Sequence, residues 1–338
     1  AAAVCAALTL TQTAMFSVGV SAESFSEAHS FALETVTASV LPSENVSEPA
    51  KADSDSRVSS SQFTLIHIPS KSEDGETPSP VTDGNFEKWS DVLAAISKNS
   101  KTDKGAAYTV EVGEDTNIGG TFRMPAARTF SSLRFTGQGS GTLKFTGGIT
   151  LTGTTAFDNI TLESLKNNKP SDFTVSAGRN ALVLLNVEGK IKNISSSAAV
   201  SLYKTTVGSI NADTVKINGD VNVEGNLTAR TALEFTGEDE TLDVKGTINT
   251  AKLCSDYSGT RIVVYDQGKN KYPLVIGKNG VEVGSDKIKL VLSDAPESVS
   301  EMIIGTITGK YSDDLVLNNG KADYDIVKSN GKLVAVED

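Results

Sequence analysis

Residues 200–223 read VSLYKTTVGSINADTVKINGDVNV, and the reading of this stretch decides the fold. It holds three apolar–x–apolar triplets, Val200-Ser-Leu202, Val215-Lys-Ile217 and Val221-Asn-Val223, separated by Gly, Asn, Asp, Ser and Thr. In an extended chain successive side chains point to opposite faces, so each triplet turns two side chains inward and one outward. Val and Ile fit such a pleated, half-buried surface well.

The same rhythm runs both ways from there. Upstream stand Leu133-Arg-Phe135, Leu143-Lys-Phe145, Ile149-Thr-Leu151, Ile160-Thr-Leu162, Phe173-Thr-Val175 and Leu182-Val-Leu184. Downstream follow Leu233-Glu-Phe235 and Leu242-Asp-Val244. With minor members at Ile191, Val207, Leu227 and Ile248, the interval averages about 8 residues, the spacing of short strands joined by turns. No helical periodicity interrupts Tyr108 to Leu253, which removes βαβ folds. An antiparallel sandwich and a parallel solenoid both fit. A sandwich prefers strands of about five or more residues and tight two-residue hairpins. Most intervals here carry a single Gly or Asn, and Asn218-Gly219 is a possible hairpin turn.

The expectation is a parallel solenoid, in which three strands make one coil of about 24 residues and coils stack about 4.8 Å apart. One coil buries too little apolar surface to offset the entropy of ordering it, so neighbours must cover its core and pair its backbone. Phe135, Phe145, Phe157, Phe173 and Phe235 are expected in an interior aromatic stack. Asn159, Asn186 and Asn193 suit corners, where Asn tolerates unusual backbone angles, or serve as plain turn residues.

Before the strands, Phe86, Trp89, Leu93 and Ile96 stand at i, i+3, i+7 and i+10. That spacing predicts an amphipathic helix over 85–99, capped by Asp83 or Asn85, with Lys98 and Lys101 near its end. It carries the only Trp. An exposed Trp stacks on sugar rings, but at apolar helical spacing Trp89 is expected in the core. The helix is expected to lie across the open end of a sheet.

Residues 1–22, AAAVCAALTLTQTAMFSVGVSA, carry no charge and end in Val20-Ser21-Ala22 before Glu23. Small residues at those positions suit a signal peptidase, so this run is expected to be a signal peptide without its basic n-region, cleaved on export. Residues 23–81 are rich in Ser, Glu, Asp, Ala and Pro and are expected to form a disordered spacer. One apolar island, Phe63-Thr-Leu-Ile-His-Ile68, suits a single strand docking on the domain downstream. Residues 82–254 form the expected β-helix. From 255 to 338 strands recur at Arg261–Tyr265, Leu274–Ile276, Ile288–Leu292, Met302–Thr308 and Leu315–Leu317. These are either looser terminal coils or a small appended β domain, with an open last edge if the chain is truncated.

Composition narrows the chemistry. The 338 residues hold 31 Lys+Arg against 42 Asp+Glu, a formal charge of −11, with 38% hydrophobic and 22% charged residues. A real core is possible, and nucleic acid, which needs clustered Lys and Arg, is excluded as a partner. There are two His, His29 and His67, and two Cys, Cys5 and Cys254. From Ile68 onward a Ser-His-Asp triad, a Cys-His pair and His-ligated zinc are therefore excluded. His67 reads as an ordinary side chain. If Cys5 leaves with the signal, Cys254 has no partner for an intramolecular disulfide and reads as a small buried hydrophobe.

The succession FEKWSDVLAAI, YTVEVGEDTNIGGTFRMP, SLRFTGQGSGTLKF and LTGTTAFDNITLES, from Phe86 to Glu163, resembles the opening of pectin-lyase-like right-handed parallel β-helices. It is similar in particular to large exported, adhesin-like β-helix proteins of Gram-positive gut bacteria. The resemblance covers about half the chain and implies an all-β, right-handed parallel β-helix with an N-terminal amphipathic capping helix. Its enzymes imply paired Asp with a catalytic His, or calcium-binding carboxylates beside an Arg or Lys. The sole Asp-Asp pair is Asp313-Asp314. Glu238, Asp239, Glu240 and Asp243 with Arg230 lie in one turn-like stretch and read as solvated loop acids, short of the converging oxygens calcium needs. No catalytic, cofactor-binding or metal residue is assigned, and no cofactor is expected.

The expectation is a secreted or cell-surface, non-enzymatic protein that displays loops for adhesion, with glycans or host and cell-surface proteins as partners. It meets a membrane only during export. The alternatives are a calcium-dependent polysaccharide lyase or glycoside hydrolase working on a solenoid face, and a structural spacer without ligand. Glycosylation-like triplets begin at Asn45, Asn159, Asn193 and Asn226, three of them expected to be hidden by packing.

Overall fold

The computed structural model describes residues 62–70, 78–137, 140–268, 271–284, 286–293 and 296–337. The expected signal peptide at 1–22 and the spacer as far as residue 61, with Cys5, His29 and Asn45, lie outside the described residues. Ser59–Asp338 forms one compact unit.

The chain opens with β1 (Phe63–Ile68) and β2 (Val81–Phe86), followed by α1 (Trp89–Asn99). Then come β3 (Ala107–Val112), β4 (Thr116–Thr121), β5 (Ser132–Thr136), β6 (Thr142–Thr146), β7 (Ile149–Thr150), β8 (Thr154–Lys166) and β9 (Lys169–Ser171). The middle holds β10 (Phe173–Gly178), β11 (Leu182–Gly189), β12 (Ile191–Ser196), β13 (Ala199–Val207), β14 (Ser209–Val223), β15 (Leu227–Phe235), β16 (Thr241–Val244) and β17 (Ile248–Ser255). The last strands are β18 (Arg261–Tyr265), β19 (Leu274–Val283), β20 (Ile288–Ser293), β21 (Ile303–Ile307), β22 (Leu315–Asn318), β23 (Asp323–Ser329) and β24 (Lys332–Val336). Apart from α1 the described chain is all-β. Every quoted triplet touches a strand, because alternation gives each strand one buried face and one wet one.

Pairing is parallel through most of the chain and falls into three columns. In the first, Tyr108, Leu133, Thr155, Leu182, Val200, Val215, Leu233, Leu253 and Val281 stand in register, all buried. The second aligns Thr205, Val221, Leu242, Ile262, Leu290 and Leu317. The third aligns Ile149, Val175, Ile194, Ile210, Leu227, Ile248 and Leu274. The 15 residues of β14 pair in all three columns, with Ile210, Val215 and Val221 as successive members. From Val200 to Val215 and on to Leu233 the chain returns to the first column in fewer residues than the expected 24.

Following hydrogen-bonded neighbours, β14, β15, β17, β19, β21, β24, β23, β22, β20, β18 and β16 return to β14, a closed barrel of 11 strands with further strands beyond it. The ring is parallel except at β21–β24, β22–β23 and β23–β24. The β23–β24 hairpin, for which the strand pattern offers no expectation, pairs with β21 and β22. Pairing also continues without a break past Cys254, through β18 and β19. Elsewhere β1 runs antiparallel to both β2 and β3, and β8 to β9. The apolar island at 63–68 thus belongs to the folded unit, which begins before residue 82.

Rings crowd the first strands. Phe135 stacks on Phe157 at 5.2 Å and 16°, and Phe145 meets Phe173 edge-on at 5.2 Å. Phe122 touches both Phe135 and Phe145, and Trp89 touches Phe63, Phe122 and Phe135. Phe235 is buried further along, in register with Ile217 and Ser255, outside that cluster. α1 starts later than the spacing predicted. Its N-cap is Lys88, with no side-chain cap, and Asn85 lies in β2. The buried face is Trp89, Val92 and Ile96, with Leu93 partly covered and Phe86 contributed by β2.

Corners repeat from strand to paired strand. Asn159, Asn186 and Lys204 have φ of 47°, 50° and 44°, and Gly219 comes next with φ 70°. Asn186 Nδ2 donates to Asn159 Oδ1 at 2.7 Å, so the amides form a ladder along this corner. A Cβ on Gly219 would sit 3.1 Å from the Tyr203 ring. Asn193, the third expected corner, lies inside β12 without a left-handed backbone.

Candidate functional site

His67 comes from β1 and Asp83 from β2, which pair antiparallel with His67 opposite Val81 and Asp83 at the bulge between the Ile66–Thr82 and Leu65–Gly84 pairs. His67 Nδ1 lies 2.7 Å from Asp83 Oδ1, and Asp83 Oδ2 accepts from Asn99 Nδ2 at 2.8 Å. The ring tilts over Tyr108, 6.1 Å between centroids. The Tyr108 hydroxyl is buried without a hydrogen-bond partner, and burial, with Asp83 and Asp103 adding charge, pushes it up to about 12. Asp103 accepts from the backbone N–H groups of Ser70 at 2.7 Å and Gly105 at 3.0 Å. The Ser70 hydroxyl also bonds it and holds its carboxyl below the usual range. A His–Asp pair fixes one imidazole tautomer, as in acyl-transfer sites. Here the nearby serine is committed to Asp103, so the pair works as a latch joining β1, β2 and the end of α1.

The acidic stretch separates once folded. Glu238 and Asp239 are exposed, with Asp239 in a left-handed turn at φ 54°. Asp243 Oδ2 accepts from the Tyr265 hydroxyl at 3.1 Å, and Arg230 turns to Asn211 Oδ1 and the Ser196 carbonyl. Glu240 is no solvated loop acid: it is fully buried. Its Oε1 accepts from Gly219 N at 3.3 Å and its Oε2 from Thr236 N at 3.1 Å, with Gly237 N also bonded. Burial pushes its carboxyl up to about 8 against these donors. The signal in sequence is the glycine pair it serves, Gly219 and Gly237, which follow the paired residues Ile217 and Phe235 of β14 and β15. Asp314 is raised by burial and accepts from Ser312 N at 3.1 Å, while Asp313 sits in a left-handed turn. Among the described residues no three His, Cys, Asp or Glu side chains converge on a point that would hold a metal ion.

A cavity of about 390 Å³ opens between the start of α1 and β4, with Glu87, Lys88, Trp89, Asn117, Thr121 and Arg123 in its lining. The Trp89 ring is not a free platform. It is 6% exposed, and its Nε1 donates to the Arg123 carbonyl at 2.7 Å. The cavity therefore offers a polar rim over a covered aromatic floor.

Cys254 is buried, its Sγ 3.8 Å from the Leu233 carbonyl. Asn193 and Asn226 are exposed and Asn159 is half-buried, so packing hides fewer of the glycosylation-like triplets than expected. No described helix is long and apolar enough to cross a membrane. Comparison with family models, curated proteins and solved structures gave no match to the chain.

Proposed function

We propose that this chain is an exported β-helix surface protein that binds glycans or cell-surface proteins through its side faces, without catalysis. Its strands wind as a right-handed parallel solenoid of the pectin-lyase-like type, and α1 caps the first lap. The observation that carries this reading is the set of three in-register parallel columns, whose inward members are mostly apolar and whose outward members face solvent. Such a scaffold holds a periodic surface rigid, because every outward side chain is fixed by its buried neighbours. The separation of Arg230 from the acids, and the enlistment of Glu240 in a corner, also favour binding over turnover. The uncharged run at 1–22 supports export to the cell surface or medium.

The test is expression of the full chain in a secreting host, then fractionation and retention on glycan- and protein-coated surfaces. The expected result is an extracellular product, shortened at its start, that is retained and turns nothing over. Polysaccharide cleavage that Asp243→Asn abolishes, or an intracellular product of full length, overturns the proposal.

A further inference from the structure

The outward side of the third column carries two register rows of uncharged side chains. Between its buried members the chain places Thr150, Ser176, Ser195, Asn211, Thr228 and Asn249 in one register row. Beside it runs a second row, Thr174, Asn193 and Ser209, continued by Asn226 and Thr247 through the bonds Asn226 N to Ser209 Oγ and Thr247 N to Asn226 Oδ1. All of these positions are exposed or half-exposed. Every one is a hydroxyl or an amide, in a chain where 22% of residues are charged. Charges border both rows: Arg230 reaches across to Asn211 and the Ser196 carbonyl, Lys192 lies at a bulge of β12, and Asp172, Asp213, Glu224 and Lys245 stand two residues from row members.

We propose that this face binds an extended, uncharged polysaccharide laid across the strands, a reading that rests on the glycan-binding role above and names its surface and ligand class. Hydroxyls and side-chain amides both donate and accept, as sugar hydroxyls do, so the match does not depend on one orientation. Six strands at about 4.8 Å per step give a row roughly 24 Å long, enough for several sugar units. Ser195, Thr228, Asn249 and Asn193 have no side-chain partner among the described residues, so binding them breaks nothing. A nucleic acid or an acidic polymer would need clustered, free Lys or Arg, whereas here Arg230 is tied to Asn211 and the Ser196 carbonyl and Lys245 pairs with Glu224. A protein partner would need aromatic or large apolar anchors, which these rows lack.

The experiment is affinity electrophoresis of the full-length chain through gels containing hydroxyethyl cellulose, dextran or mannan, with polygalacturonate as the charged comparison. At least one neutral polymer is expected to retard the wild type. Ser195→Lys with Thr228→Lys should weaken that retardation at least tenfold with an unchanged melting curve. Thr206→Lys, on the outward side of the second column, should leave it intact. Equal retardation of the double variant, or retardation by polygalacturonate alone, overturns this inference while the binding role stands on another face. No retention on any neutral or acidic glycan, nor on cell-surface protein, removes both.

Discussion

The first strands and the later ones solve the same packing problem with different side chains. Up to Phe173 the interior holds Phe63, Trp89, Tyr108, Phe122, Phe130, Phe135, Phe145, Phe157 and Phe173; after it, among the described residues, only Phe235 and Tyr324 are buried aromatics. The later columns use Val, Leu and Ile, each stacked on its like one strand away. In the middle of the unit strands are paired in parallel on both sides, and small aliphatic side chains fill the space. Near β1 the pairing changes to antiparallel, and broad rings pack there. At the far side the stack ends in backbone pairing, through the β23–β24 hairpin. Side-chain bulk and backbone pairing are thus alternative ways to finish a stack of strands.

Breaking the aromatic side should cost most. Phe135→Ala removes a ring in contact with Trp89, Phe122 and Phe157, and is expected to lose about 3–5 kcal/mol in urea unfolding. On the aliphatic side, Leu290→Ala, between Ile262 and Leu317, should lose about 2–4 kcal/mol by the same measurement. A larger loss there than at Phe135 would remove the contrast between the two regions.

Glu240 sharpens the comparison, because it is a buried carboxyl held by backbone N–H groups, whereas Asp158, buried in the earlier strands, pairs with Arg134. Glu240→Ala strips partners from the N–H groups of Gly219, Thr236 and Gly237, an expected loss of about 1–3 kcal/mol. Its pH signature has a definite sign. The folded value of about 8 lies above the ordinary 4.5, so between these limits the folded chain keeps a proton that the unfolded chain has shed. The stability tied to that proton is full below about pH 4.5, erodes as pH rises and is gone above about 8. Unfolding midpoints measured from pH 5 to 9 should fall for the wild type and flatten in Glu240→Gln. The smallest expected effect has the opposite direction. Lys204→Gly relieves a left-handed corner on a β-carbon residue and should raise stability by about 0.5–1 kcal/mol, read as a higher melting temperature.

Much of this was legible in the strand pattern. Val200, Val215 and Leu233 had to point inward, since alternation around a single polar residue leaves no other arrangement with a buried face. Asn159 and Asn186 were readable as corners for the same local reason. The latch of His67 on Asp83 was not, because two residues on different strands become neighbours only through antiparallel pairing of β1 with β2. Nor were the uncharged rows, whose members are far apart in the chain and meet only through register.

Alternation and turn residues settled from the sequence alone that this is a β protein with an apolar interior. Those are local properties, fixed by which side of an extended backbone each side chain leaves. Which strand lies beside which, the closure through β23 and β24, the burial of Glu240 and the gathering of Ser195, Asn211 and Thr228 into one row were decided by the tertiary structure. Each depends on hydrogen bonds between distant segments, and a one-dimensional pattern of apolar and polar residues does not specify the partner at the other end of such a bond.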